Sequence, residues 1–597
     1  MNPTFLRQTI LAMPVAALAL AVSSACAAPI VGPTDASFYT NPAAVTGLHG
    51  DLIQYRTTAA NLGAGAPATH AWNVLYQSTD SRGAANAVSG TVLVPTAVWS
   101  GTGPRPVILY AVGTHGLAQG CAPSRQFEKG SDYENANINA ALKAGYAVLV
   151  SDYAGYLIGT KSTYMSGQSQ GNATLDIFKA ALSIPSVGIS SAAKVGIWGY
   201  SQGGQSAAWA AEQLSAYAPE INVAGVAAGG IPADFIQTAH YLDANLGASF
   251  LASAVSGLAT QYPKGIPINL IASNEGKAEL AKLNTECVFT ALFDLQNKSL
   301  SSFTIGDQPL DDLLGLETVN ATLLAQGLGK QKVTVPLYQY HGQADEFIEL
   351  NQDLALRKYY CSVGTNVAFD VYPSEHIVTQ FQAAPNVLSW LGDRFAGKAA
   401  QSTCANTAAE PTTTANKGGG NFVVSLKSWP LTASVGLKTL KQTVYLPATS
   451  TFSAETDITG KTLNGKLSVP DFKQSLKIIG LGSQIGMKVT PVGATTGTAS
   501  LDNDGQLHVH GTAYADITIT SVSGVPVGTC KTVTPVAFPL NFDGPISSLG
   551  NGGLVFTGTT TFPQIKGCII SAILTSMMSG AGQTYSFMVA PPAPVKY

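Results

Sequence analysis

The chain has 597 residues, more than one ordinary domain holds, so we expect two domains. Only 11% of the residues are charged, far below the usual share of about 25%, whereas 46% are apolar and suffice for a large core. The formal net charge of −3 excludes a strongly basic surface, so nothing indicates a nucleic-acid partner.

The N-terminal residues 1–27 have the pattern of a secretory signal peptide. Arg7 precedes an apolar run over residues 10–22, and the small residues that follow offer an A-x-A type cleavage site after Ala27. We therefore expect a secreted protein. Cys26 leaves a lipoprotein anchor open as an alternative, although a serine stands where a lipobox usually has leucine. No other segment approaches the apolar length of a membrane span, so we expect no transmembrane segment.

Six of the seven cysteines remain after the predicted cleavage. An even number in an exported protein predicts disulfide bonds, but the sequence leaves their pairing open. No two of them have the C-x-x-C spacing that is typical of a metal site. The six are Cys121, Cys287, Cys361, Cys404, Cys530 and Cys568.

The region from residue 28 to residue 402 alternates between strand and helix patterns. Continuous apolar runs predict buried parallel strands, and the segments between them predict crossover helices, so we expect an α/β domain. After an initial hairpin, the predicted strands span residues 105–112, 146–151, 195–199, 221–228, 333–340 and 367–372. Predicted helices span residues 138–144, 174–182 and 379–394, and a further helix ends near residue 217.

The strand over residues 195–199 leads into the pattern Gly199-x-Ser201-x-Gly203, and a helical run follows. A serine on a tight strand-to-helix turn needs nearly side-chain-free residues two places before and after it. The following helix directs its positive N-terminal end at the serine. In this context the pattern predicts a nucleophile elbow rather than an ordinary glycine-rich turn.

Between residues 232 and 331 the alternation stops and several helical patterns appear, including the very apolar run 246–259. An insertion of this size between two sheet strands predicts a helical cap. Most of its apolar side chains must pack as core. A cap over a site for an apolar substrate would carry the same residues, so we expect this segment to influence substrate preference.

Residues 403–420 are rich in Thr and Gly and predict a linker. Beyond it, residues 421–597 contain short alternating runs that predict an all-β sandwich or barrel. His508 and His510 fall on one face of a predicted strand. Because the sequence offers no third metal ligand there, we interpret them as exposed strand histidines and expect no metal.

A serine nucleophile needs a base, and the base needs an acid that orients it. In this kind of fold the acid and then the base follow the serine in the chain, each in a loop after a strand. Asp345 and His376 meet that condition and are the predicted acid and base. Glu346 is the rival acid. His341 is the rival base, but it precedes the acid and lies at the end of its own strand.

Two donors should meet the negative oxygen of a tetrahedral intermediate. The backbone N–H of Gln202, directly after the serine, is the first predicted donor. The loop after an early strand supplies the second, which we assign to the backbone of His115 with its side chain as a possible assistant. The alternative is that His115 is a loop histidine that packs near Cys121.

Residues 35–404 resemble the secretory lipases typified by yeast lipase A, a family of the α/β-hydrolase superfamily. The resemblance does not extend to residues 421–597. The matching motifs are specific when taken together. They are Cys-Ala-Pro-Ser at 121–124, Gly-Tyr at 145–146, Gly-Tyr-Ser at 199–201, Ser-Ala-Tyr-Ala-Pro-Glu at 215–220, Gly-Gly-Ile-Pro at 229–232 and Glu-His at 375–376.

The resemblance implies an α/β-hydrolase fold with a helical cap and a catalytic triad of Ser201, Asp345 and His376. It also implies the disulfides Cys121–Cys287 and Cys361–Cys404, which leaves Cys530 and Cys568 to pair in the second domain. In one respect the chain departs from the family pattern, because His115 stands where the yeast enzyme has an acidic residue. A protonated carboxyl therefore cannot serve as the side-chain donor at that position.

These observations predict a secreted serine carboxylic-ester hydrolase, foremost a triacylglycerol lipase, that needs no cofactor. The alternatives are a polyester or wax hydrolase, an acyltransferase on the same fold, or a non-catalytic binding protein. We expect the second domain to attach the enzyme to lipid, polymer or cell surface, so that a chain ending near Thr412 still hydrolyses soluble esters. The alternative is a domain that packs on the first one and stabilises it.

Overall fold

The computed structural model describes residues 30–408, 410–415, 421–478 and 480–597. The predicted signal peptide, including Cys26, lies outside the described residues, and so does part of the predicted linker. Within the described ranges, no helix combines the length and the apolar character that a bilayer-crossing segment requires.

The first half of the chain forms a mostly parallel sheet. Its strands follow the spatial order β1-β2-β3-β4-β6-β5-β7-β8-β9-β10, with the hairpin β3–β4 antiparallel and β5 to β10 parallel. Residues of β5, β6 and β7 are buried on both faces because helices cover the sheet on both sides. The strands are β1 (Ile30–Val31), β2 (Leu52–Thr58), β3 (Thr69–Thr79), β4 (Ala85–Pro95), β5 (Val107–Ala111), β6 (Ala147–Ser151), β7 (Val195–Tyr200), β8 (Val223–Gly229), β9 (Leu337–Gly342) and β10 (Val367–Tyr372).

Fourteen helices of four or more α-helical residues accompany this sheet in the described part of the chain. They include the crossover helices and the cap. They are α1 (Pro123–Lys129), α2 (Asn135–Lys143), α3 (Gly167–Leu182), α4 (Gln202–Tyr217), α5 (Phe235–Leu242), α6 (Ala248–Gln261), α7 (Ile268–Ile271), α8 (Asn274–Leu283), α9 (Val288–Ala291), α10 (Leu310–Gly315), α11 (Glu317–Gln326), α12 (Leu350–Ser362), α13 (His376–Gln382) and α14 (Ala384–Phe395). The cap comprises α5 to α11, inserted between β8 and β9 as the sequence predicted.

Helix α3 begins seven residues earlier than the pattern predicted, at Gly167. Its first turns are small and polar, with weak intrinsic helix propensity, but they are buried against α4. A Cβ at Gly171 would lie 2.8 Å from the backbone nitrogen of Ala210, and Ser206 donates a hydrogen bond to Gln170 at 3.1 Å. Close packing between the two helices, rather than propensity, therefore extends α3.

The predicted helix over residues 379–394 is two helices, α13 and α14. Glu375 caps α13, since its carboxylate accepts hydrogen bonds from the N–H groups of Ile377 and Val378 at 2.6 and 2.8 Å. Pro385 lies in the first turn of α14, where its missing N–H costs nothing. Because Glu375 is the N-cap and Pro385 lies in the first turn of the next helix, His376 is the first residue of a short helix. The apolar periodicity did not predict this position.

The C-terminal region is an antiparallel all-β sheet, in agreement with the predicted fold class. Buried and exposed residues alternate along its long strands, as a sheet with one solvated face requires. Helix α15 (Ser571–Met578) packs beside it. The strands are β11 (Val423–Leu437), β12 (Gln442–Tyr445), β13 (Thr451–Asp457), β14 (Thr462–Ser468), β15 (Phe472–Ile478), β16 (Leu481–Pro491), β17 (Thr495–Leu501), β18 (Gln506–Val522), β19 (Val525–Thr532), β20 (Val536–Pro545), β21 (Leu554–Phe562), β22 (Ile565–Lys566) and β23 (Gly580–Val589). A last strand, β24 (Val595–Lys596), follows outside this sheet.

Three disulfides join the six cysteines of the described chain. Cys121–Cys287 ties the loop after β5 to the cap, and Cys361–Cys404 ties α12 to the end of the α/β region. Cys530–Cys568 lies within the all-β region. These are the pairs that the family resemblance implied for the first region and left over for the second.

The all-β region packs directly on the α/β region. The last strand, β24, leaves the all-β region and pairs antiparallel with β10 at the edge of the first sheet. Gln382 at the end of α13 donates a hydrogen bond to the carbonyl of Pro592 at 2.5 Å. A Cβ at Gly550 would lie 2.5 Å from the carbonyl oxygen of Val378 in α13. Phe422 contacts Phe347 with ring centroids 6.1 Å apart.

These contacts favour the stabilising interpretation of the second region over an independently tethered one. Deletion of residues 593–597 removes β24 and exposes the edge of β10, and a chain ending at Thr412 also uncovers α13. We expect the thermal unfolding midpoint to fall modestly for the short deletion and much further for the long one, measured by calorimetry. An α/β region of residues 28–412 that unfolds at the full-length midpoint would contradict this expectation.

Candidate active site

Ser201 lies at the turn between β7 and α4 in a strained backbone conformation, with φ 59° and ψ −122°. Both flanking glycines are required by close backbone approaches. A Cβ at Gly199 would lie 2.1 Å from the carbonyl oxygen of Gly203, and a Cβ at Gly203 would lie 2.0 Å from that of Ala111. The turn therefore has the geometry that the G-x-S-x-G pattern predicted, with a half-buried serine at the end of the sheet.

Asp345 lies in the loop after β9, His376 begins α13 shortly after β10, and the two side chains contact each other. The Nδ1 atom of His376 is 2.6 Å from Oδ2 of Asp345. The other carboxylate oxygen accepts the N–H groups of Phe347 and Ile348 at 2.9 and 2.7 Å. Burial alone would raise the pKa of Asp345, but the charge and hydrogen bond of His376, aided by His341, hold it below its usual value. The carboxylate is therefore ionised and fixed in place beneath the imidazole.

The two rival residues occupy supporting positions. Glu346 is half-buried, and its carboxylate accepts a hydrogen bond from the backbone N–H of His376 at 3.2 Å. Burial, and then the charge of Glu375, raise the pKa of Glu346 well above its usual value. His341 is buried, and its Nδ1 lies 2.5 Å from a carboxylate oxygen of Asp353. Neither arrangement fits a proton carrier at the cavity.

The side chain of His115 is buried, and both of its ring nitrogens contact neighbouring acceptors. Its Nδ1 atom lies 3.0 Å from the carbonyl of Gly113, and its Nε2 atom lies 3.0 Å from a carboxylate oxygen of Asp132. Burial opposes a charge on this ring, but Asp132 and Glu134 raise its pKa to about 9. Both ring nitrogens are occupied by these acceptors, so the side chain has no free donor for an oxyanion. The predicted role of its backbone stays a prediction.

Thr114, the residue before His115, lines the cavity beside Ser201 and Gln202. Its hydroxyl lies 2.7 Å from the hydroxyl of Tyr164, also on the cavity wall. The sequence analysis missed Thr114, along with Asp132 and Glu134 beneath the loop. The position of Thr114 in the loop after β5 is the one sequence signal for it. The local pattern does not distinguish Thr114 from His115 as the residue that lines the cavity.

Aromatic side chains hold the imidazole of His376 from two sides. The ring of Tyr200 packs at a centroid distance of 4.9 Å, and its hydroxyl donates to Asp345 at 3.4 Å. The ring of Phe347 meets the imidazole edge-on at 5.4 Å. No sequence pattern predicted that Tyr200 and Phe347 would pack on the imidazole. These contacts arise only when the segments after β7, β9 and β10 come together in the fold.

Ser201, Gln202 and His376 line one cavity of about 200 Å³ that extends into the cap. The remainder of its wall is overwhelmingly apolar. The predicted run 246–259 contributes to it as part of α6, together with residues of α5 and α8. The residues that α6 contributes are Phe250, Leu251, Ala252, Ala254, Val255 and Leu258. The arrangement places a serine and a carboxylate-bound histidine on the wall of one apolar chamber.

Comparison with known proteins places this site in context. The family model described as "Secretory lipase" matches residues 127–403. Lipase 5 of Candida albicans is 30% identical over 399 residues, which cover 62% of this chain and 83% of that protein. A Mycobacterium tuberculosis protein called "Probable inactive lipase MT1628" is 32% identical over 379 residues, covering 61% of this chain and 83% of that protein.

A solved structure supports the fold. Candida antarctica lipase A aligns with a TM-score of 0.56 and 24% identity, over 62% of this chain and 87% of that protein. This likeness concerns the α/β region and confirms the predicted α/β-hydrolase fold. Taken with the relatives and the family model, it confirms the resemblance drawn from the motifs: the chain belongs to the secretory lipase family of ester hydrolases.

Proposed function

We propose that this protein is a serine carboxylic-ester hydrolase that acts on acylglycerols, with Ser201, His376 and Asp345 as its catalytic triad. One observation carries the proposal. The imidazole of His376, bonded to Asp345 at 2.6 Å, and the strained Ser201 line the same apolar cavity. A nucleophile, a base with its orienting acid, and a chamber for a hydrocarbon chain are the parts that this chemistry needs.

The proposed reaction proceeds through an acyl-enzyme. The Oγ atom of Ser201 attacks the ester carbonyl while His376 accepts its proton, and Asp345 keeps the imidazole in the useful tautomer. The backbone N–H groups of Gln202 and His115 meet the negative oxygen, aided by the positive end of α4. The imidazolium then gives its proton to the leaving alcohol. Water, activated by the same histidine, hydrolyses the acyl-enzyme and frees Ser201.

The cavity wall supports an acyl-chain substrate over a small ester. Each buried methylene contributes about 0.8 kcal/mol, so a chamber lined by aliphatic and aromatic side chains favours longer chains. Helix α6 contributes such side chains to the cavity that Ser201 also lines, including the buried Leu258. The cap therefore determines most of the preference for acyl chain length, as the apolar run in this segment predicted.

Leu258→Asn tests this role of the cap. We expect the ratio of kcat/KM for long-chain over short-chain p-nitrophenyl esters to fall about tenfold, since a polar group in the chamber costs roughly 1–3 kcal/mol when it stays unpaired. The wild-type panel, with a triglyceride emulsion added, measures the preference itself. An enzyme that hydrolyses only the shortest esters would refute the acylglycerol assignment.

Leu283→Asn is the matched control. Leu283 is buried in the cap to the same extent as Leu258 but does not belong to the cavity lining. Its replacement should lower the thermal unfolding midpoint without changing the chain-length ratio. If both variants lose stability and neither changes the ratio, Leu258 is a core residue and the chamber does not read chain length.

A further inference from the structure

A cluster of side chains of the kinds that ligate metals lies on the all-β region, apart from the residues of the proposed triad. His508 and His510 stand two residues apart on β18, so both side chains point to the same, exposed face. The antiparallel partner strand β20 places Asp543 opposite His508 and Asn541 opposite His510. Oδ1 of Asp543 lies 2.7 Å from Nδ1 of His508 and 3.2 Å from Nε2 of His510. In the described residues this is the one group of three or more such side chains with convergent ligand atoms.

The outer ring nitrogens of both histidines face oxygen acceptors. Nε2 of His508 lies 3.5 Å from a carboxylate oxygen of Asp502, and Nδ1 of His510 lies 3.4 Å from Oδ1 of Asn541. Metal-binding histidines commonly donate their outer N–H to such an oxygen, which fixes the tautomer and leaves the inner nitrogen free for the ion. The outer nitrogen is Nε2 in His508 and Nδ1 in His510. The presence of an oxygen acceptor at both outer nitrogens therefore does not follow from strand periodicity alone.

The surrounding backbone holds these ligands in register. β18 and β20 are paired continuously from residue 506 to residue 515 of β18. The second carboxylate oxygen of Asp502 accepts the N–H groups of Asp504 and Gln506 at 2.9 and 2.8 Å and so closes the turn between β17 and β18. Ligands on a paired and closed hairpin lose little freedom when an ion binds, which favours binding.

We propose that His508, His510 and Asp543 bind one divalent transition-metal ion, with Zn²⁺ as the best match. Two imidazole nitrogens and one carboxylate oxygen are a ligand set that zinc accepts, with water completing the shell. The ion would replace the hydrogen bonds that the Asp543 carboxylate shares with the two histidines, and it would join β18 to β20. The turn beside it contacts the cap, since a Cβ at Gly505 would meet the ring of Phe289 at 2.5 Å. The site thus stabilises the region that packs on the cavity wall.

The test uses untagged, full-length protein that has been treated with EDTA and dialysed. Titration with ZnCl₂ alone, by calorimetry at neutral pH, should give one saturable site, and saturation should raise the thermal unfolding midpoint. His510→Gln and Asp543→Asn should abolish the saturable heat. Asn541→Ala, which removes only an outer acceptor, should weaken binding about tenfold.

His240→Gln is the control, because His240 is an exposed histidine 3.5 Å from a carboxylate oxygen of Asp311 and lies outside the cluster. It should bind Zn²⁺ like the wild type. Absence of saturable binding by the wild type, or equal binding by all variants, would show that the cluster is a set of surface ion pairs and overturn the proposal. Circular dichroism of each variant establishes that a loss of binding does not reflect unfolding.

Discussion

Ser201→Ala is expected to lower kcat/KM for a soluble short-chain ester by about 10⁴-fold or more, because triad members act as a unit. The fold should persist, since the backbone bonds of the elbow do not involve the hydroxyl. The N–H of Ser201 donates to the carbonyl of Gly229 at 2.9 Å, and the N–H of Gln205 donates to the carbonyl of Ser201 at 3.0 Å. Initial rates and far-ultraviolet circular dichroism measure the two effects.

Labelling by a fluorophosphonate probe distinguishes this outcome from a non-catalytic protein with the same fold. The wild type should be labelled and Ser201→Ala should not. Ser215→Ala, an exposed serine on the same helix, is the control and should keep both labelling and activity. The question has weight because one relative is described as a probable inactive lipase. A variant that kept even a tenth of the wild-type rate would remove Ser201 from the mechanism.

Asp345→Asn is expected to reduce kcat by about 10⁴-fold while leaving the fold intact. The amide still offers an oxygen to the N–H groups of Phe347 and Ile348, which the carboxylate now accepts at 2.9 and 2.7 Å. Its NH₂ group, however, presents a donor to Nδ1 of His376 and favours the wrong tautomer. The imidazole then cannot accept the proton of the serine. Steady-state rates on the soluble ester measure the loss.

Glu346→Gln is the matched comparison, one residue along the same loop. The raised pKa of Glu346 makes its neutral form accessible, and the contact it makes with His376 is to the backbone N–H. An uncharged amide of the same shape should therefore change the rate by far less than Asp345→Asn. Equal losses in the two variants would reassign the acid and reopen the order of the triad.

The surroundings of His376 connect the proposed catalytic base to the all-β region. The histidine begins α13, a short helix whose other end bonds the C-terminal tail through Gln382. The 3₁₀ turn Ile546–Leu549 packs against the same helix. Phe422, at the start of the all-β region, packs on Phe347, which in turn contacts the imidazole. We therefore expect loss of the all-β region to disturb the proposed base His376 as well as the stability of the α/β region.

Local sequence was sufficient for the features that depend on neighbours in the chain. A Cβ at Gly199 would lie 2.1 Å from the carbonyl oxygen of Gly203 in the same turn, so the spacing of the two glycines predicts the elbow directly. Asp345 and His376 follow buried strands, and parallel strands bring their carboxyl ends to one edge of the sheet. Alternating apolar and polar residues likewise predicted the all-β region, because side-chain direction has a period of two along a strand.

Other features arise from contacts between distant segments, and no local pattern encodes them. The side chain of His115 is bonded to Asp132, so it is not available for the assistance to the oxyanion that the sequence predicted. Asp543 lies next to His508 only because of the register of β18 against β20. The two histidines, which the sequence indicated as a pair without a third ligand, therefore form part of a candidate metal site. β24 pairs with β10 although the paired residues, Val371 and Val595, are far apart in the sequence. Such strand and side-chain pairings depend on tertiary packing. The periodicity of the sequence identifies a strand but does not determine which other strand pairs with it.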